Sequence, residues 1–292
     1  MVMAATGVGV GDLVAALVAG TLYGNVFVWA IVMGALLKYI LNEGIGRWYL
    51  ATGQTILQGW HSLGKWATGY FGIYLVILGF AFGAAVTSAT ALATTTMFPA
   101  LPLWSWAVIH SLAGFLLVWS GHYRLFEQVM IVLVGVMFVT EVGSAAILFP
   151  NLAELSLGLV PRLPDGSLFY ALGLIGGIGA TVTLAAYGYW LREKGWKGSS
   201  WIPMMRLDLT VAYTMTGLFT LSLLVVGMEL LFGTGIILEG DKGMVELTRI
   251  VGKELGEAVR WLFLIGFWSA SFTSLWGRGT GSPTSSPTLS AF

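Results

Sequence analysis

From Ala5 to Gly20 the chain reads ATGVGVGDLVAALVAG: Gly7, Gly9 and Gly11 alternate, and a carboxylate, Asp12, follows them. An ionised group deep in a bilayer costs about 3 kcal/mol, so it faces the protein interior and marks an ion or substrate path. Glycines weaken a helix, and a broken membrane helix frees backbone carbonyls that only a water-filled cavity or buried protein can satisfy. Free carbonyls beside one carboxylate make a site of hard oxygen ligands, suited to a cation. A plainer reading has Asp12 capping the half-helix after it, accepting from orphan amides at its N-terminus. The two roles can coexist.

A second glycine cluster lies in GLIGGIGATVT, Gly173 to Thr183, where Gly176, Gly177 and Gly179 fall in the middle of an apolar run. Counting apolar runs places the two clusters in the first and sixth spans, five apart. Paired interruptions in corresponding halves are the sequence pointer to the binding site of an inverted-repeat transporter. Glycine also serves simple close packing of membrane helices, and this chain has 40 of them. The paired positions and the neighbouring charge favour a site. Gly9 to Asp12 and Gly177 to Ala180 are therefore predicted to be non-helical and to face each other near mid-membrane.

Other titratable groups say less. Glu141, in FVTEVGSA, is a candidate proton relay or the partner of a polar side chain. Asp208 and Glu229 sit near the ends of the seventh span. His110 lies within the fourth, while His61 and His122 lie at or beyond span ends, with no ligand spacing among the three. There is no cysteine, so no disulfide and no thiolate chemistry. GVGVG follows no strand and is not a dinucleotide fingerprint. No base accompanies the serines and threonines in a catalytic arrangement. The expectation is a protein that is not an enzyme and needs no cofactor.

The elements that must position these residues are membrane helices. Of the chain, 57% is hydrophobic and 10% charged, against about 25% charged in a soluble domain. At roughly 20 apolar residues per span, eight are predicted. They cover Val2–Tyr23, Val26–Leu41, a run from Ala67, Leu103–Gly121, Leu125–Phe149, Leu168–Leu191, Leu207–Gly233 and Ala258–Leu275. The 13 tryptophans read mostly as an interfacial belt. No basic region opens a cleavable leader. Arg47, Lys65, Arg124, Arg192, Lys194, Lys197 and Arg206 gather in alternate loops, which puts the N-terminus in the cytoplasm of an integral plasma-membrane protein. Net charge is zero without a basic run, so the expected partners are membrane lipid and a small solute, with no nucleic acid.

GVGVGDLVAALVAGTLYG resembles the first-helix region of the NRAMP family of divalent-metal transporters, which carries Asp-Pro-Gly-Asn, then Ala-Gly and Tyr-Gly. Aligning on Ala19-Gly20 and Tyr23-Gly24 sets Gly9 under the motif's Asp and Asp12 under its Asn. GATVTLAAY, from Gly179, is similar to the family's Gly-Ala-Thr-Val-Met-Pro-His, with Ala180 matching, Thr183 in place of the metal-binding Met and Leu184-Ala185 in place of Pro-His. YRLFEQVM, from Tyr123, resembles the start of the fifth helix, and Asp208 an aspartate opening the seventh.

The resemblance implies an all-α, LeuT-like inverted-repeat bundle with discontinuous helices 1 and 6. Residues 1–276 would form the transporter domain, with a first repeat over 1–150 and a partial second repeat over 167–276. It implies ion binding at Gly9, Asp12, Ala180 and Thr183, with Asp12 and Thr183 as metal ligands. Loss of the soft sulfur leaves oxygen ligands, which suit magnesium, calcium or manganese. Such folds use ten core helices, so eight spans followed by a Gly/Ser/Thr/Pro tail at 277–292, disordered in composition, look like a truncation or frame change, with a start upstream. A chain so shortened is expected to keep the helix breaks but transport poorly. The leading expectation is transport of a divalent metal ion by alternating access, with protons as a candidate coupled partner. Transport of a small organic solute and a non-transporting fragment are the alternatives.

Overall fold

The computed structural model describes residues 10–119, 123–148, 150–179, 181–235, 238 and 240–276, with the side chains of 10–13 among those outside the description. Among the described residues the secondary structure is helical throughout, with no strand. In chain order the helices are α1 (Val10–Tyr23), α2 (Val28–Thr52), α3 (Ile56–Ser62), α4 (Lys65–Met97), α5 (Leu103–Trp119) and α6 (Tyr123–Ile147). There follow α7 (Leu152–Leu157), α8 (Leu168–Gly177), α9 (Thr181–Glu193), α10 (Ile202–Leu231), α11 (Gly240–Leu255) and α12 (Glu257–Trp276). A 3-10 turn over Gly24–Phe27 joins α1 to α2, opened by Gly24 at φ +59°.

Each predicted span coincides with a helix, the sixth with the pair α8 and α9. Among the described residues three segments are long and apolar enough to cross a membrane: Val14–Thr52, which holds α1 from Val14 on, the turn and α2, then Lys65–Met97 and Ser199–Leu231. The second helix runs eleven residues past the predicted Leu41, because an ion-paired stretch after it keeps helical geometry. Gly53, at φ +71°, ends it, with its amide bonded to the Tyr49 carbonyl at 2.8 Å.

α10 is the centre of the bundle. It packs against α1, α2 and α6, while α12 packs against α6 and α4. The α1–α10 crossing is built glycine to glycine. A Cβ on Gly20 would strike the Leu224 carbonyl oxygen and come within 3.0 Å of the Met228 amide. A Cβ on Gly227 would strike the Leu17 carbonyl and come within 3.1 Å of the Thr21 amide. Lipid offers helices no hydrophobic drive to associate, so backbones held this close gain their stability from dispersion contact. α8 lies on α2 in the same manner, with the Ile175 Cα 3.0 Å from where a Gly34 Cβ would be.

Many hydroxyls in the bundle are satisfied within their own helix. Thr90, Thr94, Thr216, Thr220 and Ser271 each donate to the carbonyl four residues back at 2.9 Å. That arrangement suits a medium without water. Outside, Trp66, Tyr70, Ile73, Ile77 and Phe80 form a stripe along α4 at three- and four-residue steps, with Phe80 81% exposed. So much continuous exposed apolar surface fits contact with acyl chains.

We predict that Gly20→Leu costs at least about 2 kcal/mol through overpacking, because the atoms in its way are backbone. At about 2 °C or more per kcal/mol this shifts the midpoint of thermal unfolding measurably. Gly44→Leu is the control, since nothing lies within 4 Å of its Cβ position. Equal melting curves for the two variants in detergent would show that the crossing is not as tight as described.

Candidate functional site at a broken helix

The sixth span is interrupted. α8 stops at Gly177, Ile178 takes φ −47° and ψ 119°, Gly179 stands at φ +70°, and α9 starts at Thr181. The Ile178 amide still reaches the Leu174 carbonyl at 3.3 Å, the last bond of the helix. A left-handed glycine just past a helix end is the common stop signal, since other residues pay steric strain there. Space excludes them as well: a Cβ on Gly179 would lie 2.7 Å from Tyr213 Cε1. Thr183, buried one turn into α9, donates its hydroxyl to the Gly179 carbonyl at 2.5 Å. The final carbonyls of α8 have no helical successor to bond to.

The break begins one residue later than predicted. Gly176 and Gly177 are the last two residues of α8, and Ile178 and Gly179 carry the change of direction. The stop is set by the one glycine with left-handed geometry rather than by the densest glycine pair. Ala180 lies outside the described residues. In the first span the helix is already formed at Val10, so Val10, Gly11 and Asp12 are helical where a break was predicted. Gly7 and Gly9 lie outside the described residues, as does the Asp12 side chain. α1 and α8 pack together, with the Tyr23 and Tyr170 rings edge to face at 5.1–5.4 Å from their partners Phe27 and Tyr23.

Beneath the break runs a polar column. Asn42 on α2 donates through Nδ2 to the Tyr213 hydroxyl, the same ring that closes on Gly179. Beside it, Glu43 is held by Arg47 Nε at 2.9 Å and by Arg206 of α10, through Nη2 at 2.9 Å and Nε at 3.0 Å. Asp208 pairs with Lys194 at 3.5 Å. Lys38, one turn before Asn42, is buried too. Sequence reasoning passed over Lys38, Asn42 and Glu43, because ending the second span at Leu41 put the last two outside it. The signal was there: Lys38 and Asn42, like Glu43 and Arg47, are four apart in an apolar helix, hence on shared faces.

The remaining candidates are scattered. Glu141 on α6 is fully buried, and neither carboxylate oxygen has a hydrogen-bond partner. His110 is tied into packing: Nδ1 lies 2.7 Å from the Trp106 carbonyl, and Nε2 receives the Trp268 indole at 3.1 Å, with the Thr94 hydroxyl at 3.3 Å. His61 lies 3.1 Å from the Thr68 hydroxyl, Glu229 is exposed on α10, and His122 is outside the described residues. Among the described residues no three His, Asp or Glu side chains gather as metal ligands. Backbone carbonyls and the Thr183 hydroxyl are the oxygens that the break itself supplies.

A family model described as natural resistance-associated macrophage protein-like matches residues 1–283. No curated protein matches the chain. Among solved structures the fold is similar to that of a manganese transporter from Eremococcus coleocola. Against a histidine-to-alanine variant of that protein the TM-score is 0.77 at 16% identity, over 95% of this chain and 63% of the other. Against its complex with an aromatic bis-isothiourea substituted compound it is 0.76 at 17%, over 96% and 60%. Against a glutamate-to-glutamine variant it is 0.74 at 17%, over 96% and 61%. The chain thus spans under two thirds of the length of these transporters, and the likeness is one of fold.

Two substitutions probe the break. We predict that Gly179→Ala destabilises by about 2 kcal/mol, combining left-handed strain with the Tyr213 contact. Tyr213→Phe leaves the Asn42 amide short of its acceptor at a cost of about 1–3 kcal/mol. Denaturation followed by intrinsic fluorescence checks both. A Gly179→Ala protein as stable as the parent would mean that the break relaxes freely and is not held by its surroundings.

Proposed function

The chain belongs to the Nramp family, and we propose on that premise that it moves a divalent metal cation across the membrane by alternating access. The chain is an integral membrane protein, and the activity proposed is transport rather than catalysis. The observation that carries the reading is the interruption of the sixth span at Ile178 and Gly179, inside the bundle and against the central helix α10. Backbone that leaves helical geometry at membrane depth is tolerated where it is buried in protein or lines a cavity. There its carbonyls can replace part of the hydration shell of a cation.

In this reading Asp12 supplies the one formal negative charge, and Gly9, Ala180 and Thr183 supply neutral oxygens. Carboxylate, carbonyl and hydroxyl ligands suit magnesium, calcium and manganese better than softer metals. The solved structures of like fold are named as a manganese transporter, which supports manganese as the first ion to try. Movement would take α8 and α9, with α1, relative to the helices around them. The Asn42–Tyr213 bond and the Glu43–Arg206 pair then join α2 to α10 on one side of the break, as contacts that hold one access state. Coupling to protons and residence in the plasma membrane with a cytoplasmic N-terminus are part of the same proposal.

Calorimetric titration of the purified chain with manganese, magnesium and calcium tests the site. Asp12→Ala is expected to abolish binding. Thr183→Ala is expected to weaken it about 10-fold, as for a group that orients a ligand, here the Gly179 carbonyl, besides offering an oxygen. Unchanged affinity in Asp12→Ala would reduce that residue to a helix cap. Uptake into proteoliposomes under a metal gradient tests transport, and a chain that neither binds nor moves any of the three ions would refute the proposal.

A further inference from the structure

The α6–α12 crossing holds a second polar site, away from the break. Glu141 is 0% exposed there and neither oxygen has a hydrogen-bond partner. Across from it on α12 stands Gly266: a Cβ on that residue would lie 2.7 Å from Glu141 Oε1 and would strike the Thr140 hydroxyl. Ser269 follows Gly266 by three positions, which keeps it on the same face of α12. Its hydroxyl is also fully buried and without a partner. The hydroxyls of Thr140 and Ser144 on α6 turn back to carbonyls of their own helix, at 2.9 Å to Val136 and 2.7 Å to Thr140. They therefore offer Glu141 no donor.

An ionised carboxylate in this place would bear its whole desolvation cost with nothing to offset it. A buried arginine or lysine would cancel the charge, but among the described residues none reaches it. The titratable groups on the helices packed against α6 are Arg206, Asp208, Tyr213 and Glu229 on α10 and Glu257 with Arg260 on α12, and His110 reaches α12 from α5. Arg206 is paired with Glu43, Asp208 with Lys194, and Tyr213 with Asn42. Arg260 is bonded to Glu257 at 2.8 Å and His110 to Trp268 and the Trp106 carbonyl, and Glu229 is exposed. A metal ion would need several more oxygens and the room that the Gly266 backbone occupies. A proton needs neither.

We propose that Glu141 is a proton-binding site, protonated while α6 and α12 are packed as seen and exchanging its proton when their crossing opens to water. Loading is from hydronium in the open crossing: one carboxylate oxygen takes the proton, and the water molecule left behind departs as the helices close. The neutral carboxyl then carries no charge to desolvate, which suits the closed crossing. On reopening, water accepts the proton and solvates the anion. Gly266 matters because any larger residue would hold the helices apart and let water stay. The role in coupled transport rests on the proposed cation transport; the proton site itself does not.

The experiment uses the full chain and two readouts. Infrared difference spectra between acidic and alkaline buffer should show a protonated-carboxyl band that Glu141→Gln abolishes. A parent spectrum without a band that Glu141→Gln removes would overturn the proposal, whether or not the chain transports metal. In proteoliposomes with an internal pH dye and a manganese gradient, Glu141→Gln should still take up manganese while losing at least 10-fold of the accompanying acidification. Proton flux per manganese within twofold of the parent in Glu141→Gln would overturn the coupling role. Absence of manganese uptake in the parent would instead refute the transport reading and leave the infrared result to decide the site.

Discussion

Two glycines set the distance between the helices on which this bundle is assembled. Gly20 of α1 and Gly227 of α10 each meet the backbone of the other helix, so the two axes are as close as peptide groups allow. α10 in turn touches α2 and α6, and α8 touches α1 and α2. A displacement at the first crossing is therefore passed to every other. A gap at so close a crossing forfeits dispersion contact outright. The bulky core residues nearby, Phe219, Leu223 and Leu224, are fully buried and add to a contact that the small residues permit.

The broken sixth span is tolerable because of that frame. Its strained residue is a glycine, its exposed carbonyl receives the Thr183 hydroxyl, and the ring beside it is held by Asn42. The cost of irregular backbone is spread over three helices. Buried ion pairs such as Glu43 with Arg206 add little to net stability once desolvation is counted, but losing one partner is expensive. Both arginines are more than half exposed at their side chains, while Glu43 is only 10% exposed. If the pairing breaks, the arginines can turn to water, and the charge left behind is the Glu43 carboxylate.

Much of this was legible in the amino-acid sequence, and the part that was not has a physical cause. Apolar runs of about 20 residues marked each span, since a bilayer imposes one length on all of them. The glycine cluster marked the interrupted span, but only conformation separates Gly179, at positive φ, from Gly176 and Gly177, which stay helical. The helical state of Val10 to Asp12 was missed because alternating glycines were taken to break a helix that their packed surroundings can still hold. Asn42 and Tyr213 are 171 positions apart, and no local pattern links them. Glu141 was visible as a charge in an apolar run. Its isolation depends on what α12 does not provide, which is a property of the packing alone.

The stripe of rings and branched side chains along α4 has a further consequence. At 33 residues this helix is about 50 Å long, against a hydrocarbon layer of about 30 Å. The surplus is taken up by leaning or by standing out of the bilayer. Its inner half is pinned by Val86, Ala89 and Ala93 against the bundle, while the half from Trp66 to Phe80 faces outward. The lean of that outer half is thus set by the thickness of the surrounding lipid as much as by protein contacts. Through α12, on which α4 rests, the bundle is mechanically joined to the membrane, and lipids of different chain length would reach it as a bending load.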